Sequence, residues 1–307
     1  MKDLLDHDFL FVVGKGGVGK TTVSAALALA ARRRGKRVLV AMCNSKERLS
    51  QLLGTDPIGP KNQTLEAGFD AVNMEPEVAM EEYGLMILKV RALYEAIFEN
   101  KFVAAVLRGT PGIEAWSMLG KAYYHVDETR DDGSPRYDLV ILDAPATGHA
   151  LDMFRVPDVI LNVAPPGLLR REAEKALALF RDRERTAGVL VTLPEDMPTN
   201  ETLELHQALT QELRFPVSRL VVNQTLRQLF EGDERTAALE LLDRLDNGSP
   251  LRGLARAGRQ RAVREQIQRD SLDRLREALG DLPRTLLPLI HVPDFERSAV
   301  ESLAAVF

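Results

Sequence analysis

Four glycines, two lysines and two threonines crowd into one stretch, Gly14-Lys15-Gly16-Gly17-Val18-Gly19-Lys20-Thr21-Thr22. A glycine-rich backbone can curl until successive N–H groups point into one hollow, a geometry that grips phosphate oxygens. The pattern G-x-x-x-x-G-K-[ST], set between an apolar strand and a helix, is that of a phosphate-binding loop. In such a loop Lys20 is expected to bridge the β- and γ-phosphates, Thr21 to bind Mg²⁺ through its hydroxyl, and Thr22 to lie close to the α-phosphate. The helix beginning near Lys20 adds its positive N-terminal end. Asp143, closing the apolar run Asp138 to Leu142, is the natural acid to hold the magnesium water. An acid at a strand end can also cap a helix, but Ala144-Pro145-Ala146-Thr147-Gly148-His149 reads as a turn near the expected phosphates, which favours the metal role. The dinucleotide fingerprint G-x-G-x-x-G competes poorly, because it has no use for Lys20-Thr21.

These residues need a frame. Phe9 to Val13 is an apolar run stopped by glycines, Thr21 to Arg34 is Ala-rich and ends at Gly35, and Arg37 to Cys43 is again apolar. Strand, helix, strand in that order predicts a βαβ unit with a covered parallel sheet. Further strands are predicted at Ala71 to Met74, Asp138 to Asp143, Gly188 to Thr192, Leu220 to Asn223 and Leu289 to Val292. The fold class is α/β: a three-layer parallel-sheet P-loop NTPase with a helical insertion, forming one domain over residues 1–307. The helical insertion is expected at about 77–130, broken at Gly109-Thr110-Pro111-Gly112, with further helical segments at about 165–187 and 226–282. Met80, Met86, Leu93, Tyr94, Phe98, Phe102, Trp116, Met118 and Tyr123 within the insertion fit helix packing, and an adaptable binding face is the sharper reading. The arginines of the 226–282 segment alternate with acids, as on a solvated helix face with i,i+4 pairs.

Composition narrows the function. With 307 residues, 45% hydrophobic and 28% charged, the chain is globular rather than disordered or fibrous. Its net charge of −5 provides no drive toward nucleic acid. Cys43, the single cysteine, makes neither an internal disulfide nor a Cys-x-x-Cys metal site, and His7, His125, His206 and His291 have no metal spacing. No zinc is expected. The acidic start, Met1 to Asp8, is wrong for a secretory signal. The longest apolar run, Val23 to Ala31, falls short of the roughly 18 residues that span a bilayer. The expected location is the cytoplasm, with no integral membrane segment.

The extra lysine, Lys15, makes the loop similar to the deviant P-loop of the superfamily of septum-site, plasmid-partition and nitrogenase iron proteins. There the first lysine reaches across a dimer interface to the partner's nucleotide, and the resemblance implies that role for Lys15. Asp143-Ala144-Pro145-Ala146-Thr147-Gly148-His149-Ala150-Leu151 resembles the switch motif Asp-Thr-Ala-Pro-Thr-Gly-His-Thr-Leu of the arsenite-pump and tail-anchored-protein targeting ATPases. Pro111-Gly112-Ile113-Glu114 and Met74 to Tyr83 resemble segments of that family's helical subdomain, and the resemblance covers essentially the whole chain. It implies ATP or ADP with Mg²⁺, Asn223 against the base with Pro293-Asp294-Phe295 nearby, and a homodimer or a heterodimer with a paralogue. It further implies that nucleotide state is coupled to dimer opening and to an unknown client. His149 has two readings, a sensor of the γ-phosphate or a cap of local backbone groups.

Three departures bear on the chemistry. Where the family's second strand ends in Asp-Pro-Ala-His, this chain has Asn44, and an amide can orient water but cannot accept its proton. Loss of a general base costs about 10² to 10⁴ in rate, so slow hydrolysis is expected. Glu47 is the nearby carboxylate that could be recruited, or it starts a helix. The Cys-x-x-Cys that holds zinc between targeting subunits is missing, so any dimer rests on other surfaces. Only Pro157 to Ala187 separate the switch from the next strand, which shortens the groove for transmembrane clients, and Cys43 alone makes no metalloid site. The rival class is a nucleotide-gated binding subunit that hardly turns ATP over. A partition-type ATPase on membrane or DNA is disfavoured by the acidic charge.

Overall fold

The computed structural model describes residues 2–43, 46–88, 113–246 and 248–307. Eight strands form one sheet: β1 (Phe9–Val13), β2 (Val38–Cys43), β3 (Gln63–Thr64), β4 (Asp70–Met74), β5 (Leu139–Asp143), β6 (Thr186–Thr192), β7 (Val217–Thr225) and β8 (Arg284–Pro288). Their spatial order is β3-β4-β2-β5-β1-β6-β7-β8. Every pairing is parallel except that of the short edge strand β3, which runs antiparallel to β4. Every residue of β1, β2, β5 and β6 is buried, as expected where helices cover both faces of a parallel sheet.

The helices are α1 (Lys20–Arg33), α2 (Leu49–Leu53), α3 (Pro76–Leu88), α4 (Ile113–Val126), α5 (Thr147–Val163), α6 (Leu168–Arg181), α7 (Asp196–Gln207), α8 (Gly232–Arg244), α9 (Arg252–Leu279) and α10 (Arg297–Ala304). Alternation along β1 divides the core. Leu10 and Val12 face α1, in which every residue from Val23 to Ala31 is buried, and its small side chains let the helix lie close on the sheet. Phe9 and Phe11 face the other way into an aromatic cluster; the Phe11 ring lies 4.8 Å from Phe154, 5.3 Å from Phe180 and 5.6 Å from Phe215. These separations suit edge-to-face and offset aromatic packing, which adds to area burial.

Helices α3 and α4 pack on each other so closely that a Cβ on Gly120 would stand 2.4 Å from the Tyr83 ring. Lys121, almost fully buried, pairs with Glu82 and donates to Pro60 O at 3.0 Å. Tyr83, Trp116, Met118, Leu119 and Tyr123 are buried in the shared core, so packing accounts for them. Leu93, Tyr94, Phe98, Phe102 and the break at 109–112 lie outside the described residues. Helices α8 and α9 occupy the charged interval, where buried Glu265 accepts from Leu229 N (3.0 Å), Phe230 N (3.2 Å) and its i−4 neighbour Arg261 (2.7 Å).

One strand differs from the sequence reading. Leu289 to Val292 is not a strand; β8 is Arg284–Pro288, and His291 and Val292 are exposed. The edge strand buries only Thr285 and Leu287, so it alternates instead of forming an apolar run, and its edge position tolerates Pro288. The two-residue β3 carried no readable pattern. β7 continues two residues past Asn223, with a register irregularity between Val222 and Thr225.

Candidate functional site

The chain order reverses at β1, which lies between β5 and β6, and in open α/β sheets ligands bind beyond the strand C-termini at such a switch point. The loop Gly14–Gly19 leaves β1 at that place and enters α1 at Lys20. Its glycines answer separate demands. A Cβ on Gly14 would stand 2.2 Å from Val191 O, so the loop begins pressed against β6. Gly19 has φ +93°, and a Cβ there would meet Asn223 Nδ2 at 2.3 Å. Gly19→Ala is therefore expected to cost about 1–3 kcal/mol of stability in urea unfolding of the nucleotide-free protein, through left-handed strain and the displaced amide.

Parallel pairing of β5 with β1 sets Asp143 beside Val12, one strand over from the loop. Thr21 Oγ1 donates to Asp143 Oδ2 at 2.6 Å. Asp143 Oδ1 is buried and has no hydrogen-bond partner among the described residues. Burial pushes the Asp143 carboxyl up to about 6, against the opposing pull of the Thr21 hydroxyl, the Lys20 ammonium and the nearby Ser24 hydroxyl. Lys20 is lowered, mainly by burial, while Asp143 holds it up. Its Nζ donates to Gly14 O and Lys15 O, each at 3.1 Å, so the loop's own carbonyls hold the cation within the hollow. An unpartnered carboxylate oxygen beside a threonine hydroxyl is a donor set of hard oxygens suited to Mg²⁺. Thr21 and Asp143 fit that ion, which when bound supplies charge neutralisation across the phosphate oxygens.

The other predicted residues are placed as follows. Val18 is buried, and Thr22 lies in the first turn of α1. Lys15 Nζ pairs with Glu201 Oε1 of α7 at 2.7 Å. Asn223 is buried with its amide engaged at both ends: Nδ2 donates to Val18 O at 3.0 Å, and Oδ1 accepts from Gln224 N at 2.9 Å. Gln224 carries φ +57°, an uncommon backbone state for a residue with a Cβ. Next to it a cleft of about 530 Å³ is lined by Leu193, Met197, Gln224, Leu226, Gln268 and Leu289, among others. Pro293, Asp294 and Phe295 are exposed in the segment between β8 and α10. His149 is exposed in the first turn of α5, while Ala146 comes within 3.8 Å of the Cβ position of Gly16. Asn44 lies outside the described residues. Glu47 accepts from Ser50 N at 2.8 Å and Ser50 Oγ at 2.5 Å, the bonding of an acid at a helix start. Cys43 is buried, and burial raises its thiol far above the ordinary range.

One residue of the site, Glu201, carries no motif signal and escapes the sequence reading; Thr147, which the switch-motif resemblance covers without giving it a role of its own, has a hydroxyl buried without a partner among the described residues. The stretch Thr199-Asn200-Glu201-Thr202-Leu203 reads as any half-solvated helix, so nothing in the sequence marked Glu201.

A glycine loop at the sheet's switch point, a lysine folded into it and an acid of a neighbouring strand accepting a hydrogen bond from the threonine that follows that lysine make this a P-loop NTPase. More narrowly, the anion-transporting ATPase (ArsA ATPase) family matches residues 7–164, over half of the chain, and the chain belongs to it. It is 30% identical over 252 residues to the ATPase BagA of Mycobacterium tuberculosis, covering 80% of this chain and 73% of that protein. It is 26% identical over 269 residues to ATPase ASNA1 homolog 1 of Paramecium tetraurelia (74% and 78% covered). It is 27% identical over 265 residues to ATPase GET3B of Arabidopsis thaliana (69% and 63% covered). The chain is thus an ATP-binding ATPase of the arsenite-pump and targeting type. No described helix is long and apolar enough to cross a membrane.

Proposed function

We propose that this chain is a Mg²⁺-dependent ATPase that works as a dimer, ATP drawing two subunits together and hydrolysis releasing them. The observation that carries the reading is the convergence of Lys20, Thr21 and Asp143 on one hollow, with a second cation, Lys15, at its rim and unneeded by the chain's own cradle. Gly14, Gly16, Gly17, Val18 and Gly19 present backbone amides to the phosphates, Lys20 clamps the β- and γ-phosphates, and Thr21 with Asp143 holds the metal. Lys15 serves the nucleotide of the facing subunit, either a second copy or a paralogue. Asn223, with Pro293, Asp294 and Phe295 close by, borders the base, and the cleft beside Gln224 has the size of a small-ligand site. To face the base, the Asn223 amide must give up Val18 O or Gln224 N.

Asn44 in place of the family's aspartate orients the attacking water without taking its proton, and turnover is slow. His149 and Thr147, at the start of α5, lie where loss of the γ-phosphate can move the helix and, through it, α4, whose packing on α5 passes the change to a client surface. The partner is a protein rather than nucleic acid, and the protein acts in the cytoplasm as one folded domain. Single-turnover hydrolysis and sedimentation with and without ATP test this together. Slow hydrolysis with an ATP-dependent dimer, both lost in Lys15→Ala, is the expected result. An active monomer, or a Lys15→Ala chain that still dimerises on ATP, counts against it.

A further inference from the structure

Lys15 and Glu201, 186 positions apart in sequence, meet at 2.7 Å. The fold imposes the meeting. Gly14 is pressed against Val191 O, β6 ends one residue later at Thr192, and the chain turns directly into α7, whose second turn carries Glu201. That turn is anchored, since Thr202 is buried and its hydroxyl donates to Pro198 O at 2.7 Å. The pair itself sits at the rim, with 26% of the Lys15 and 34% of the Glu201 side chain exposed, so an incoming anion can reach the ammonium. The loop's two lysines are therefore parked differently. Lys20 rests on neutral carbonyls of its own loop, whereas Lys15 rests on a full carboxylate of another element. A carboxylate competes with a phosphate for an ammonium far better than a carbonyl does.

We propose that Glu201 is a positioning residue that holds Lys15 on its own subunit, and that exchange of this carboxylate for the partner's triphosphate sets the nucleotide concentration at which two copies close. The inference rests on the reading that Lys15 serves the facing nucleotide. A rim-exposed pair of this kind is worth about 1.4- to five-fold in an equilibrium constant. A closed dimer breaks two such pairs, so removing the carboxylate shifts the apparent dimerisation constant by about two- to 25-fold.

Sedimentation velocity of the full chain, titrated with a slowly hydrolysed ATP analogue and Mg²⁺, tests the proposal with wild type, Glu201→Gln, Glu201→Asp, Lys15→Gln and the double variant. Glu201→Gln is expected to dimerise more readily than wild type by that factor, and Glu201→Asp, which keeps the charge, to stay near wild type. The double variant is expected to remain as monomeric as Lys15→Gln, because without the lysine there is nothing to release. A simple packing defect at α7 would weaken dimerisation and would not depend on Lys15. Dimerisation of Glu201→Gln equal to or weaker than wild type, with Lys15→Gln still monomeric, overturns the latch and leaves the dimer reading standing. Dimerisation of Lys15→Gln at wild-type nucleotide concentrations, or a wild type that stays monomeric throughout, overturns the dimer reading itself.

Discussion

Lys20→Ala is expected to lower kcat/KM for ATP by at least about 10²- to 10³-fold, the cost of removing one preorganised donor from developing phosphate charge. The reason lies in where the ammonium waits. Its Nζ is already inside the hollow on Gly14 O and Lys15 O, and burial has stripped it of much of its water. Little reorganisation is then needed when phosphate oxygens replace the two carbonyls, and the exchange occurs where charges are weakly screened. Folding should hardly notice the substitution, since a partly desolvated cation on two carbonyls contributes little net stability. The informative pairing is calorimetric nucleotide binding beside thermal unfolding of the nucleotide-free protein. A Lys20→Ala chain that melts normally and still binds ATP as wild type does would remove the loop from the site.

Asp143→Asn should separate stability from function in opposite directions. The folded carboxyl titrates at about 6 against an ordinary 3.8, because its burial disfavours the anion. Its folded pKa is raised, so between these values the native state holds a proton that the unfolded chain has released. Stability is then fully present below about pH 4, falls as pH rises toward 6, and stays lower above it, by roughly 3 kcal/mol from this group alone. In the asparagine variant that decline disappears, and the nucleotide-free protein is expected to be more stable than wild type at pH 7.5 but little changed at pH 4. Turnover with Mg²⁺ is expected to fall at least about 10²-fold, since a neutral amide holds the ion poorly and no longer supports the charge of Lys20. Urea unfolding at the two pH values, set beside hydrolysis rates, checks both halves. Identical pH profiles for wild type and variant would show that Asp143 is not the strained anion of the nucleotide-free site. A further consequence concerns binding below pH 6, where Mg²⁺ with nucleotide must displace the proton and so releases it to the buffer.

The phosphate loop was legible because its chemistry is local. Glycines, a lysine and a threonine at fixed offsets between an apolar run and an Ala-rich helix leave few alternatives, and each of those residues lies within one turn of the next. Asp143 was legible for a related reason: a fully buried strand reads as continuous apolar residues, and an acid at its end stands out. The strands at the centre of the sheet shared that advantage, whereas β8 did not. An edge strand buries one face, so its five residues alternate and the apolar run just behind it looked more like a strand than it did. The two-residue β3 has no pattern to read.

Residue types and spacing by themselves determined the strand–loop–helix and its triphosphate chemistry, since these depend on short-range geometry that any such segment imposes, while the ATPase class followed from the resemblance of the loop and of Asp143 to Leu151 to known motifs. What only the tertiary structure decided are the partners brought from far along the chain. Parallel pairing in a given register put Asp143 Oδ2 on the Thr21 hydroxyl and left Oδ1 bare. The close seat of Gly14 on β6 delivered Glu201 to Lys15, and the end of β7 turned the Asn223 amide onto Val18 O. Such contacts follow from strand order and packing distance, which no local pattern encodes. They also govern burial, and burial sets the charge state of the acid on which the site turns.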